Sequence, residues 1–227
     1  MTQASGCILF DLDGTLVDSA PDLAASANYM RGQFGLAPLP YPAMRESAGQ
    51  GARGMLWASL RTGPACTRFE SLKEQYLAHY EAHISERSAP FEGVLEMLGA
   101  IAAAGLSWGI VTNKAGHLAR KLCASQSLLP ESGCVVSGTD MGLLKPRPEP
   151  VLEGMRLMRA DPANTIYVGD DARDAGAAAA AGVPFIAARW GYVGGGADIS
   201  RWGAALIAHR PSEIVPAALE ILKSRRG

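Results

Sequence analysis

Asp11 and Asp13 stand two residues apart directly after the apolar run Cys7–Phe10, and Gly14 follows them. On an extended backbone residues i and i+2 project to the same side, so both carboxylates start towards one spot. Glycine permits the sharp turn that comes next. Further along, Thr112 and Asn113 close the apolar stretch Ser107–Val111, and Asp170, Asp171 and Asp174 follow Thr165–Val168. Converging carboxylates repel one another and are tolerated when a hard cation or a basic side chain neutralises them. An oxygen-only cluster without His or Cys suits Mg2+ rather than zinc or copper. Lys145, in Leu143-Leu144-Lys145-Pro146, is placed to supply the remaining positive charge. Such a site holds a phosphoryl group with one oxygen on the metal and others on Thr112, Asn113 and Lys145. Asp11 is then free to attack phosphorus as a carboxylate nucleophile.

These residues meet only if the chain folds so that its strand ends converge. Strands are expected at Cys7–Phe10, Ser107–Val111, Cys134–Val136, Thr165–Val168 and Val183–Ala188, each a short apolar run. Between them lie helical patterns at Val94–Ala104, Gly116–Ser125, Glu149–Arg159 and Ala172–Ala181, with another at Ser212–Leu222. Strands alternating with helices indicate an α/β fold with a doubly wound parallel sheet, whose ligands collect at the carboxyl ends of the strands. One stretch breaks the alternation. A helix from about Ser19 to Phe34, a stiff connector with Pro38, Pro40 and Pro42, and a helical pattern on to Glu86 follow the first strand. In Phe69–Glu86, Phe69, Leu72, Tyr76, Tyr80 and Ile84 mark a buried face. The expected organisation is a core domain of residues 1–17 and 89–227 with a helical cap, residues 18–88, inserted in it.

Composition narrows the function further. The chain has 227 residues, and its 21 basic and 22 acidic side chains leave a net charge of −1, which argues against a nucleic-acid partner driven by bulk charge. No apolar run approaches the roughly 20 residues that span a bilayer, so no membrane partner is expected. The start, Met1–Gly6, lacks a basic region followed by a secretory apolar stretch. Cys7, Cys66, Cys123 and Cys134 show no zinc spacing and are expected to be small buried hydrophobes in a reducing cytoplasm.

Asp11-Leu12-Asp13-Gly14-Thr15 resembles the first motif of the haloacid dehalogenase-like superfamily of phosphohydrolases. Thr112-Asn113-Lys114 is similar to its second motif, Lys145-Pro146-Arg147-Pro148 to its third and Gly169-Asp170-Asp171-Ala172-Arg173-Asp174 to its fourth. A helical insertion after the first motif is similar to the cap of the phosphoglycolate phosphatase subgroup. The resemblance implies that Asp11 forms an aspartyl-phosphate and that Asp13 is general acid, then base. It implies that Asp11, the Asp13 backbone carbonyl and Asp170 bind Mg2+, that Thr112 and Asn113 hold phosphate and that Lys145 neutralises charge. Asp174 is expected to orient Lys145, with Asp171 in outer contact with the metal. Many phosphoglycolate phosphatases carry Ser where this chain has Asp171, which leaves open which of the two acids matters more.

The implied substrate is a small phosphorylated metabolite, first 2-phosphoglycolate, handled by a cytoplasmic monomer or homodimer. Gly51-Ala52-Arg53 and Arg189-Trp190-Gly191-Tyr192 also resemble the N-acetylmuramic acid 6-phosphate phosphatases, so a sugar phosphate is the main alternative. A phosphomutase is less favoured. Dehalogenase chemistry lacks the second acid that Asp13 supplies, and a phosphonatase needs a Schiff-base lysine where the insertion offers only Lys73. A non-enzymatic phospho-receiver shares the acids, Thr and Lys, yet has its acceptor on a later strand and no large insertion. Gly49–Gly54 matches GxGxxG, but no strand precedes it, so a loop facing the core site is expected rather than a dinucleotide site. Arg53 there, and Arg45, are candidates for a carboxylate or sugar oxygen of the substrate. His79 and His83, four residues apart without a third ligand, read as a half-exposed helix face.

Overall fold

The computed structural model describes residues 6–128, 131–194 and 198–225; most of the amino-terminal stretch read for a leader lies outside them. Six parallel strands form one sheet in the order β5-β4-β1-β6-β7-β8. They are β1 (Cys7–Phe10), β4 (Ser107–Thr112), β5 (Val135–Ser137), β6 (Thr165–Gly169), β7 (Phe185–Ala188) and β8 (Leu206–Ala208). All four β1 residues are buried, as a central strand covered on both faces requires. Ile8 and Phe10 enter one apolar cluster with Ile110, Ile166 and Ile186, while Cys7 and Leu9 enter the opposite one with Val111, Tyr167 and Phe185. The period of two thus divides each strand between two cores. The expected α/β doubly wound architecture is borne out, with β8 and a two-residue ladder as additions.

That ladder, β2 (Val17–Asp18) against β3 (Ala89–Pro90), brackets the helical insertion. Between its strands run α1 (Ala20–Gln33), α2 (Pro42–Arg45), α3 (Gly51–Leu60) and α4 (Phe69–Ala82). The connector is shorter than expected because Pro42 occupies the first turn of α2, where its missing N–H costs nothing. Phe69, Leu72, Tyr76, Tyr80 and Ile84 are all buried as their spacing predicts. Buried Asp22 ties the two ends of the insertion together, accepting from the Arg87 and Ser88 amides and from the Ser88 hydroxyl.

The core helices are α5 (Val94–Ala103), α6 (Gly116–Ser125), α7 (Gly138–Met141), α8 (Glu149–Met158), α9 (Ala172–Ala180) and α10 (Ile214–Ser224). Small residues let two of them approach the sheet closely. A β-carbon at Gly154 of α8 would crowd Val111 and Leu9, and Ala175, Ala177 and Ala178 bury one face of α9. Of the cysteines, Cys7, Cys123 and Cys134 are buried as expected, but Cys66 is exposed in the loop between α3 and α4. It is a polar-loop residue rather than part of a core.

Candidate active site

The carboxyl ends of β1, β4 and β6 bring Asp11, Thr112 and Asp170 to one edge of the sheet, beneath the insertion. Lys145 reaches this edge as a buried side chain. Its ammonium lies 2.9 Å from Asp11, 2.6 Å from Asp174, 3.0 Å from the Val111 carbonyl and 2.9 Å from the Tyr167 hydroxyl. Burial works against its charge, but Asp11 and Asp174 outweigh it and hold the pKa above the ordinary value. Asn113 fixes the lysine from behind, its amide donating to the Lys145 carbonyl and accepting from the Lys145 N–H. The expected phosphate-holding residue therefore has its side chain engaged in placing Lys145.

Asp174 accepts from the Lys145 ammonium, and its second oxygen accepts from the Asp171 amide. Asp171 is in a different position. Its carboxylate caps the start of α9 and pairs with Arg173 at 2.7 Å, so it serves a helix end and a guanidinium rather than the carboxylate cluster. Burial pushes Asp174 up to about 7, against the pull of Lys145. It pushes Asp170 well above the carboxylate range too, with Asp11 and Asp174 adding repulsion. The Tyr192 amide and Thr15 hydroxyl, at 2.8 and 2.9 Å, position Asp170. A β-carbon at Gly14 or Gly191 would collide with the Asp170 carboxyl region, so both glycines are needed for close approach.

One oxygen from each of Asp11, Asp170 and Asp174 lies within 4.8 Å of the others. These residues fit a divalent cation. Their donors are hard oxygens, and with Asp13 they make four carboxylates against two ammonium groups, Lys145 and Lys114. With all four ionised, two negative charges would stay unbalanced in a buried site, an excess relieved either by a cation or by the protons that Asp170 and Asp174 hold tightly.

Asp13 turns its carboxylate to Lys114, 3.0 Å away, and to the Ser19 hydroxyl. Lys114 also donates to the Tyr80 hydroxyl at 2.9 Å and lies over that ring. Burial opposes its charge, yet Asp13 and Tyr80 raise its pKa above normal. Lys114 and Tyr80 were missed as site residues, one read only as part of a motif and the other only as core. Ser19, whose hydroxyl is committed to Asp13, does not cap α1. The Tyr192 hydroxyl substitutes, accepting from the Ser19 and Ala20 amides at 2.7 and 2.9 Å.

A cavity of about 550 Å³ opens above these groups, lined from the sheet side by Asp11, Asp13, Thr112, Lys114 and Lys145, and from the insertion by Gly49–Arg53, Lys73 and Tyr80. Arg53 faces it as expected. Arg45 does not line it: its guanidinium donates to the Gly191 and Trp190 carbonyls and stacks over the Tyr192 ring. Gly49–Gly54 is helical rather than the expected loop: Gly49 and Gln50 end a 3-10 helix (Glu46–Gln50) and Gly51–Gly54 open α3, while the Gly49 carbonyl accepts from Arg173. His79 stacks on both Tyr29 and His83 on a partly exposed face.

A family model for haloacid dehalogenase-like hydrolases matches residues 8–188. The chain belongs to the haloacid dehalogenase-like hydrolase family. The hydrolase is 35% identical over 208 residues to N-acetylmuramic acid 6-phosphate phosphatase of Pseudomonas aeruginosa, covering 92% of each chain. It is 37% identical over 207 residues to phosphoglycolate phosphatase of Xanthomonas campestris, covering 91% of this chain and 93% of that one. It superposes on a predicted phosphoglycolate phosphatase from Haemophilus somnus with a TM-score of 0.81 at 25% identity, over 95% and 98% of the two chains. The expected class, a phosphoric monoester hydrolase of this family, is borne out.

The acids of this hydrolase set a pH dependence for the metal-free protein. Asp174 binds its proton more tightly folded, at about 7, than unfolded, near 3.8, so the folded state carries the extra proton between those values. Stability therefore falls as pH rises through this window. A divalent ion bound at the cluster would favour its ionised form and reverse the trend. The melting-temperature gain on adding Mg2+ is expected to be larger at pH 8 than at pH 5, as differential scanning fluorimetry can test; an equal gain at both would disprove the link.

Proposed function

We propose that this hydrolase is a Mg2+-dependent phosphatase of small phosphorylated metabolites in the cytoplasm, with 2-phosphoglycolate the first candidate substrate. One observation carries the reading: Asp11 faces the cavity while sharing Lys145 and a carboxylate cluster with Asp170 and Asp174. The phosphoglycolate and sugar-phosphate phosphatases among its relatives support the class. The four free cysteines agree with a reducing compartment, and no described helix is long and apolar enough to cross a membrane.

In this reading a free Asp11 oxygen forms a bond to phosphorus as the ester oxygen leaves. Asp13 gives that oxygen its proton, then takes one from the water that hydrolyses the aspartyl-phosphate and so restores Asp11. Lys145 and Thr112 hold the phosphoryl oxygens and offset their charge. Asp11, Asp170 and the Asp13 carbonyl, with Asp174 beside them, would hold Mg2+, which would supply Lewis-acid stabilisation of the same oxygens. Lys114 and Ser19 keep the Asp13 carboxylate in place between steps. Helices α1–α4 act as a cap that excludes bulk water.

The cavity volume gives specific weight to the second reading, a sugar phosphate, because a two-carbon phosphate fills only a small part of it. A panel including 2-phosphoglycolate, N-acetylmuramic acid 6-phosphate and p-nitrophenyl phosphate, compared by kcat/KM, separates the two. Turnover is expected with Mg2+ and none with excess chelator. Undiminished hydrolysis in chelator, or a stable phosphoprotein without turnover, would defeat the proposal.

A further inference from the structure

A second cavity, of about 670 Å³, adjoins the active-site cavity and shares Gln50, Arg53 and Pro64 with it. Its volume falls within the range of small-molecule sites, about 300–1,000 Å³. Arg61, Thr62 and Cys66, from the loop after α3, complete the polar part of its wall, and no Asp or Glu lines it. Among the described residues neither the Arg53 nor the Arg61 guanidinium has an ion-pair or hydrogen-bond partner. Thr62 is only 9% exposed, and its hydroxyl has no nitrogen or oxygen partner, only the Cys66 thiol beside it. A buried hydroxyl without a good acceptor is costly, and a thiolate accepts far better than a thiol. The Thr62 hydroxyl and the Arg68 amide hold the exposed Cys66 thiol below its ordinary value. Burial does the opposite to the other three, pushing Cys7 and Cys123 up to about 12 and Cys134 up to about 11. An exposed thiol in an electropositive setting is the reactive kind, and a buried one is inert.

We propose that Cys66 is a modification site: it forms a mixed disulfide with a small thiol carrying carboxylates, and the attached group obstructs the active-site cavity at Arg53. The site itself does not depend on the phosphatase reading; its effect on turnover does. The Cys66 thiolate attacks one sulfur of the small molecule's disulfide. That S–S bond breaks as a new one forms to Cys66, and the other half leaves as a thiolate that takes up a proton. Cys66 is thereby oxidised and the departing half reduced, so no further oxidant enters. Two unpaired guanidinium forks match carboxylates and draw an anionic disulfide into the cavity, whereas they repel a cationic one. Gln50 and Arg53 also line the cavity above Asp11, so a group tethered at Cys66 and paired with Arg53 stands across one side of it. Reduction of the mixed disulfide clears the way again.

The test exposes the whole protein at neutral pH to glutathione disulfide, which carries carboxylates, to neutral hydroxyethyl disulfide, or to cationic cystamine. Intact-mass and peptide mass spectrometry follow the adduct, and each rate is divided by that of N-acetylcysteinamide with the same reagent. Glutathione disulfide is expected to lead the neutral reagent by about tenfold or more, the scale of one charge-assisted contact, and to label Cys66 alone. Arg61→Gln is expected to narrow that lead and Arg61→Lys to restore part of it. Arg61 is exposed, so both variants should keep the wild-type circular dichroism. Cys66→Ser should take up no label and keep wild-type turnover. Modified wild type should lose kcat/KM for p-nitrophenyl phosphate, and dithiothreitol should return it. Equal normalised rates for all the reagents, or label on Cys7, Cys123 or Cys134 of the folded protein, would overturn the site. Unchanged kcat/KM after full modification would overturn the obstruction. Selective labelling of a protein that hydrolyses no phosphomonoester would instead overturn the phosphatase reading and keep the site.

Discussion

Asp11→Asn is expected to lower turnover of every phosphomonoester by about 10⁴-fold or more, the scale seen when a covalent nucleophile is removed. The change is nearly isosteric and keeps a polar group beside Lys145, so packing at the end of β1 should persist. Its amide is a far poorer nucleophile than a carboxylate, and no acyl-phosphate can form. Two measurements check this. Rapid-quench experiments should trap a phosphoenzyme in wild type and none in the variant, and thermal unfolding should stay cooperative. Near-normal hydrolysis by Asp11→Asn would remove the mechanism altogether.

Lys145→Met is expected to damage both stability and rate. The methionine fills much of the same space, so the main loss is charge. Asp11, Asp170 and Asp174 would then face one another with no cation from the protein. Removing one partner from a buried ion pair typically costs about 3–5 kcal/mol, because the remaining charge stays uncompensated. Urea denaturation without metal at pH 8, above the value of about 7 to which Asp174 is raised, should show that loss, and saturating Mg2+ should recover part of it. Activity should fall by roughly 10²–10³-fold even with metal present, since the group proposed to stabilise the transferring phosphoryl oxygens is gone. A variant as stable as wild type without metal would mean that the cluster sheds its charge by protonation instead.

The parts of this molecule that sequence made legible share a physical cause. Apolar runs such as Cys7–Phe10 stop at Asp, and Gly116–Ser125 is bounded by a turn on each side, so their limits match the structure to the residue. Weak segments escaped notice. Leu206–Ala208 is a three-residue edge strand in a small-residue stretch, and the β2–β3 ladder has two residues a side, too few to show any period.

The site divides in the same way. Asp11 and Asp170 are legible because each directly follows a strand, and the strand ends must converge; Lys145, in the loop between α7 and α8, is legible only from its neighbouring prolines and its place in the series of motifs. Lys114 was not, because its partners Asp13 and Tyr80 come from β1's turn and from α4, and a lone lysine in sequence reads as solvated. Asp171 and Asp174 both fall in the first turn of α9, where either suits a helix start. Only the position of Lys145 separates their duties. Arg45 reverses an expectation: rather than facing the cavity it donates to the Trp190 and Gly191 carbonyls, as Arg173 donates to the Gly49 carbonyl between the sheet domain and the helical insertion.

Tyr192 performs two tasks with opposite ends of one residue. Its amide holds Asp170, and its hydroxyl holds the first turn of α1 where the chain enters the insertion. Drift in this position would therefore be felt twice, once as loosened ion chemistry and once as a tilted roof. Lineages that acquire new substrates are expected to leave residue 192 alone.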